Sequence, residues 1–190
     1  MSKHHIVNAL ALAGLLLTPS AFASTQGLNL NFTAVIEETT CLMKVSSLTN
    51  SSLSGSNPQY ALKIPDIGIS SLINAMPNTE GSFRLLPQEC NNEITSLTMT
   101  IKGDTLPNTA YMLKNALTSG NAENVAMGFK PKGSDDSSLY RLDGVQRISW
   151  SQSQIADGMD LSAFFRRAGT SLTPTTGDFQ AKATFTFTYE

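Results

Sequence analysis

From Phe179 onward the chain alternates strictly: Phe179, Ala181, Ala183, Phe185, Phe187 and Tyr189 are apolar, with Gln180, Lys182, Thr184, Thr186 and Thr188 between them. A period of two predicts a β-strand with one buried and one wet face. A flat apolar strand with an open edge is a template for pairing with another chain. This strand, on which the sequence stops, therefore calls for a neighbour on each side. A second alternation lies near the start, where Leu28, Leu30, Phe32, Ala34 and Ile36 are apolar and Gly27, Asn29, Asn31 and Thr33 separate them. Beyond "EETT" the apolar parity moves to Cys41, Met43 and Val45. Side chains change face at every residue of a strand, so a parity switch predicts a bend, a bulge or two segments serving different surfaces. It leaves open that the first segment serves another molecule.

Between these ends, short apolar stretches are separated by Gly, Pro, Asn and Ser, and no long window has helical periodicity. Strands are predicted over Leu28–Ile36, Cys41–Val45, Tyr60–Ile64, Phe83–Leu86, Leu97–Ile101, Val125–Phe129, Ser162–Arg166 and Phe179–Tyr189. Many short strands with turn signals between them suggest an all-β sandwich. The Ser/Asn-rich segment "SSLTNSSLSGSNP", Ser46 to Pro58, reads as an exposed loop. "IPDIGISSLI", Ile64 to Ile73, is expected to end in a short helical turn.

The first residues bear on the compartment. A mildly basic start (Lys3, His4, His5) precedes the apolar run Ile6–Leu17, which is too short to span a bilayer, and Pro19 leads into the small-residue site Ala21-Phe22-Ala23. Residues 1–23 therefore read as a secretory signal cut before Ser24. Cleavage removes both histidines and Lys3. The whole chain carries 13 Lys plus Arg against 15 Asp plus Glu, a net charge of −2. Nucleic acid and anionic membrane surfaces call for clustered basic residues, which this chain lacks. Cys41 and Cys90 are its two cysteines, and an even pair in an exported chain is most simply one disulfide.

Catalytic constellations are missing where chemistry would need them. Without histidine in the mature chain, Ser-His-Asp, Cys-His and histidine-based zinc sites are excluded. Glu37-Glu38 and Asp135-Asp136 could be acid/base dyads or calcium ligands but sit in polar sequence that reads as solvated turn, as do Asp157 and Asp160. No cofactor, metal or enzymatic activity is expected. The sequons Asn31-Phe32-Thr33 and Asn50-Ser51-Ser52 are read as chance matches. Trp150 is either a core residue or a sugar-stacking platform.

The alternating N-terminal segment before the first cysteine, the second cysteine closing "FRLLPQEC", and the ending "GDFQAKATFTFTYE", with Gly177 ahead of the strand and Tyr189 next to last, together resemble the pilin subunits of the chaperone-usher pathway. The resemblance covers the whole mature chain. It implies an incomplete immunoglobulin-like sandwich that lacks its last strand and is completed by a donated one. Residues 24–36 would be the donor extension and 37–190 the pilin domain. Leu28, Leu30, Phe32, Ala34 and Ile36 would be the donor side chains, and Phe185, Phe187 and Tyr189 would line the acceptor groove and meet the chaperone strand. Where Ala34 falls, the family usually has glycine.

The resemblance further implies a structural subunit of a surface fimbria, polymerised by donor-strand exchange and supporting cell adhesion. Its partners would be a periplasmic pilus chaperone, an outer-membrane usher, neighbouring pilin subunits and an unidentified host receptor, without insertion in the membrane. Export would run through the periplasm to the cell surface. The alternative is a glycan-binding tip or minor adhesive subunit. Against it, tip adhesins place a separate lectin domain ahead of the pilin domain, for which this chain has no room.

Overall fold

The computed structural model describes residues 30–37, 41–90 and 94–190. Ten strands, β1 (Leu30–Glu37), β2 (Leu42–Ser47), β3 (Ser52–Ser56), β4 (Gln59–Ile64), β5 (Glu80–Gln88), β6 (Leu97–Gly103), β7 (Val125–Pro131), β8 (Ile148–Ser149), β9 (Met159–Arg167) and β10 (Phe179–Tyr189), form two sheets. One has the order β3-β4-β1-β10-β6-β8, the other β2-β5-β9-β7. Two short helices, α1 (Ile69–Ile73) and α2 (Gln152–Asp157), and a 3₁₀ turn at Pro77–Thr79 complete the described part. Among the described residues no helix is long and apolar enough to cross a membrane.

The sheets close on each other because each presents one alternating apolar face. Phe179, Ala181, Ala183, Phe185 and Phe187 of β10 are all buried, facing Met43, Val45, Phe83, Leu85, Leu161, Phe165, Met127 and Phe129 of the second sheet. The all-β sandwich expected from the sequence is the observed fold, and β10 keeps its predicted bounds. The parity switch between Ile36 and Cys41 resolves into two segments in different sheets, β1 in the first and β2 in the second. Cys41 and Cys90 are bonded, with a sequence separation of 49. By the chain-entropy argument, a loop of that size gives about 4 kcal/mol of stabilisation.

Three expectations are corrected. The segment Ser46–Pro58 is not a plain loop: it holds the end of β2 and all of β3, whose residues pair with β4 from Ser52↔Lys63 to Ser56↔Gln59. Four of the five β3 residues are exposed, so backbone pairing to the open edge of β4, and not burial, makes this strand. β5 and β9 are about twice the predicted length. β9 is longer because Ser162 and Phe164 are buried on its outer face, which hides the alternation. α2 was not anticipated, although Ser151 and Gln154 form a reciprocal capping box that the "SQSQ" spelling encodes.

Candidate functional site

β1 fills a slot between β4 and β10. It runs antiparallel to β4, from Leu30↔Ile64 to Val35↔Gln59. It runs parallel to β10, from Leu30↔Phe179 to Glu37↔Thr186. The N-terminal segment thus lies in the groove of its own chain and supplies the neighbour that the alternation of β10 demands. β6 pairs with the other side of β10, from Ala183↔Gly103 to Tyr189↔Leu97.

Phe32 carries the contact between this strand and the core. It is 3% exposed, and its ring lies 5.0 Å from Phe129, 6.3 Å from Phe185 and 6.5 Å from Phe83. The last three rings also touch one another pairwise at 5.4–6.1 Å, all edge-on. The result is a four-ring cluster with one corner on β1. Edge-on aromatic pairs of this kind contribute about 0.5–1.5 kcal/mol beyond their buried area.

The next rung is small on its β10 and β6 side. Ala34, itself buried, pairs with Ala183 and with Tyr60, and Ala183 pairs with Gly103. A Cβ on Gly103 would lie 2.5 Å from the Leu113 Cδ2 methyl and 2.7 Å from the Lys182 carbonyl oxygen. Glycine is needed there so that the fully buried Leu113 can pack across the row. Ala34 therefore adds a methyl to a rung in which Ala183 and Gly103 are already small.

The sequence-derived residues fall into three groups. Phe32, Ala34 and Phe185 come together in the slot. Leu30 and Ile36 occupy ladder positions opposite Phe179 and Phe185, and Leu28 lies outside the described residues, as do residues 1–23. Phe187 and Tyr189 sit beyond Thr186, the last partner of β1. Phe187 instead packs its ring 6.0 Å from Trp150, and Tyr189 is paired with Leu97.

Trp150 is 6% exposed, which removes it as a sugar platform; it is a core residue closing the Phe187 end of the sandwich. α2 lies over this end, with Gln152 Nε2 donating to the Thr95 carbonyl at 2.8 Å and Ile155 packed on the core. The backbone N–H groups of Thr95 and Ser96 donate to the Glu190 carbonyl oxygen at 2.8 and 2.9 Å, which ties Glu190 to the segment leading into β6.

Among the acidic residues singled out in the sequence, Asp136 and Asp160 have ion-pair partners, and Glu38 lies outside the described residues. Asp136 is not in a merely solvated turn. On the outer face of the second sheet, Lys130 Nζ lies 2.8 Å from both Glu80 and Asp136, and Arg166 reaches the same two carboxylates at 2.7–2.8 Å. Both cations stand over the Phe164 ring, at 5.2 and 5.0 Å, which lets a lysine side chain only 4% exposed stay charged. Asp160 binds Arg84 with both carboxylate oxygens. Asn50, the acceptor of one sequon, donates its amide nitrogen to the carbonyls of Asn78 and Glu80, so the atom a glycan would occupy already closes a turn.

Burial alone would raise the Asp136 carboxyl, but hydrogen bonds and charge from Arg166 and Lys130 outweigh it and hold the group below the usual carboxylate range. A depressed folded pKa gives stability that is complete above the unfolded value, near 3.9, and lost as pH falls through the folded one. Urea melts should show stability unchanged from neutrality to about pH 5 and falling below about pH 4. Asp136→Asn should shrink that fall; an unchanged acid limb would remove Asp136 from its cause.

Comparison with known proteins agrees with this geometry. Residues 43–190 match the family described as "Fimbrial protein". The chain is 28% identical over 195 residues to the "Uncharacterized fimbrial-like protein YadM" of Escherichia coli strain K12, covering 100% of this chain and 98% of that one. Its fold is similar to that of the P pilus rod subunit PapA, with a TM-score of 0.51 at 16% identity over 75% of this chain and 100% of the other.

Proposed function

The chain belongs to the fimbrial protein family, whose members are structural pilus subunits and not enzymes, and on that premise we propose that it polymerises by donor-strand exchange. In this reading residues 1–23 direct export and are removed, residues 24–36 form the donor extension, and residues 37–190 form the pilin domain with its acceptor slot. One observation carries the proposal. β1, the first element of the fold, occupies an interior position in its sheet between two strands that do not otherwise meet. A strand of like pattern from a second copy would satisfy the same ladders and the same aromatic corner, which is strand addition used for assembly.

A slot with two unpaired edges would be an aggregation hazard in transit. The subunit therefore crosses the periplasm with a pilus chaperone lending a strand, passes an outer-membrane usher, and takes its place in the surface fimbria, where it supports adhesion to a host receptor. The test uses Phe32→Arg. An unpaired charge in an apolar slot costs several kcal/mol, so the variant should bind the co-expressed chaperone as the parent does yet be depleted from surface fibres. Immunogold labelling of fibres, scored against periplasmic subunit level, measures this. Incorporation at the parental level would end the donor assignment.

A further inference from the structure

At the end of the sandwich where β7 begins and β9 ends, the flanking loops enclose a cleft of about 370 Å³, within the range of about 300–1,000 Å³ usual for small-ligand sites. Leu106, Pro107 and Leu172 give it apolar walls, while Asn115, Asn121, Glu123 and Asn124 add amides and one carboxylate. No lysine or arginine lines it. We propose that this cleft binds a neutral saccharide. Such a site rests on the adhesion reading above, and supplies it with a receptor class and a place on the subunit built without any residue of β1, β4 or β10.

The polar wall is held in place by groups other than those left open to a ligand. Asn115 commits its whole amide to the frame: Nδ2 donates to the carbonyls of Ala122 and Asp178 at 3.1 and 2.7 Å, and Oδ1 accepts from the backbone N–H groups of Leu117 and Gln180 at 3.1 and 3.0 Å. Glu123 is fixed through its backbone, its N–H donating to Thr175 Oγ1 at 2.8 Å and its carbonyl accepting from the Thr175 N–H at 3.1 Å. Asn124 donates Nδ2 to the Thr173 carbonyl at 2.9 Å. Gly177, at φ +145, lets its loop press on this wall, since a Cβ there would lie 2.5 Å from the Ala122 nitrogen. Among the described residues, the Asn121 amide and the Glu123 carboxylate have no hydrogen-bond or ion-pair partner. Free polar groups on a fixed backbone bind at little ordering cost. A carboxylate accepts from two hydroxyls and a primary amide both donates and accepts, a pattern that neighbouring ring hydroxyls complete. The C–H face of a sugar ring matches the apolar walls, where Leu172 stands 44% exposed. Phosphates and nucleic acid would find no cation here, and one carboxylate is too little charge for a calcium site.

The experiment titrates the purified mature chain with the methyl glycosides of galactose, glucose, mannose, fucose and N-acetylglucosamine, with glucosamine as a charged probe, read by saturation-transfer NMR. At least one neutral glycoside should bind. Glu123→Ala should weaken that binding by about 10-fold, the loss of one hydrogen bond to a charged group, and Asn121→Ala by about 5-fold. Neither side chain has a partner in the fold, so both variants should keep the parental urea midpoint and the parental number of fibres per cell. No neutral glycoside bound by the parent, or parental affinity in the double variant, would overturn the site and leave the pilus-subunit reading standing. Binding of glucosamine alone, abolished by salt, would overturn the neutral class. Glycoside binding lost in the double variant while fibre-bearing cells adhere as before would uphold the site and end the adhesion reading.

Discussion

Phe187→Arg is expected to leave almost no folded subunit. The Phe187 side chain is 3% exposed, faces the interior of β10 and packs on Trp150. Phe187 belongs to the buried apolar core together with Met99, Ile148 and Trp150. A guanidinium placed in that apolar packing loses its hydration, which costs several kcal/mol. That is a large share of the 5–15 kcal/mol by which a typical domain is stable. The substitution acts beyond Thr186, the last partner of β1 on β10. Periplasmic extracts should contain degraded or aggregated material and little chaperone-bound subunit. Parental recovery of soluble chaperone complex would show that this end of β10 is dispensable for folding.

Phe32→Ala and Phe185→Ala should each lower the stability of the purified monomer by about 3–5 kcal/mol in urea unfolding, the usual cost of emptying a buried phenylalanine site. Their rings lie 6.3 Å apart and share Phe83 and Phe129 as neighbours. The double variant should therefore fall short of the summed losses by about 0.5–1.5 kcal/mol. The two losses differ in kind. Phe185 belongs to the slot wall and its loss follows the subunit into every state. Phe32 belongs to the insert, so its loss should disappear when a parental peptide of residues 27–37 fills the slot instead. An equal loss for Phe32→Ala with and without saturating peptide would place its effect outside the slot.

Both faces of β10 and the parity switch after Ile36 were legible because each is a simple alternation beside water. What the alternation could not disclose was the owner of the neighbouring strand. Leu30, Phe32, Ala34 and Ile36 present the same pattern whether the slot belongs to their own chain or to another. β9 was under-read because Ser162 and Phe164 are buried on the face that should be wet. Phe164 lies under Lys130 and Arg166, which Glu80 and Asp136 hold in place, and Ser162 meets Ser82; these partners come from separate stretches whose meeting has no local signature. β3 was missed for the opposite reason, since a strand held by its ladder alone has no apolar mark. Trp150 was ambiguous in isolation and became a core residue once Phe187 was beside it. The capping box at Ser151 and Gln154 is spelled locally in "SQSQ" and marks the start of α2.

β3 also bears on the shape that a polymer of this chain can take. At the margin of its sheet it is short and mostly serine, and it carries Gly55 at φ +87, where a side-chain carbon would strike the Gln59 carbonyl oxygen at 2.5 Å. The opposite margin, β8, is two residues long, and in the other sheet β7 ends on Pro131, which has no amide hydrogen to offer. None of these margins presents the long, flat, apolar ladder on which sheets stack side by side. In the strand-donation reading proposed above, blunting these three margins favours a single-file thread over a mat.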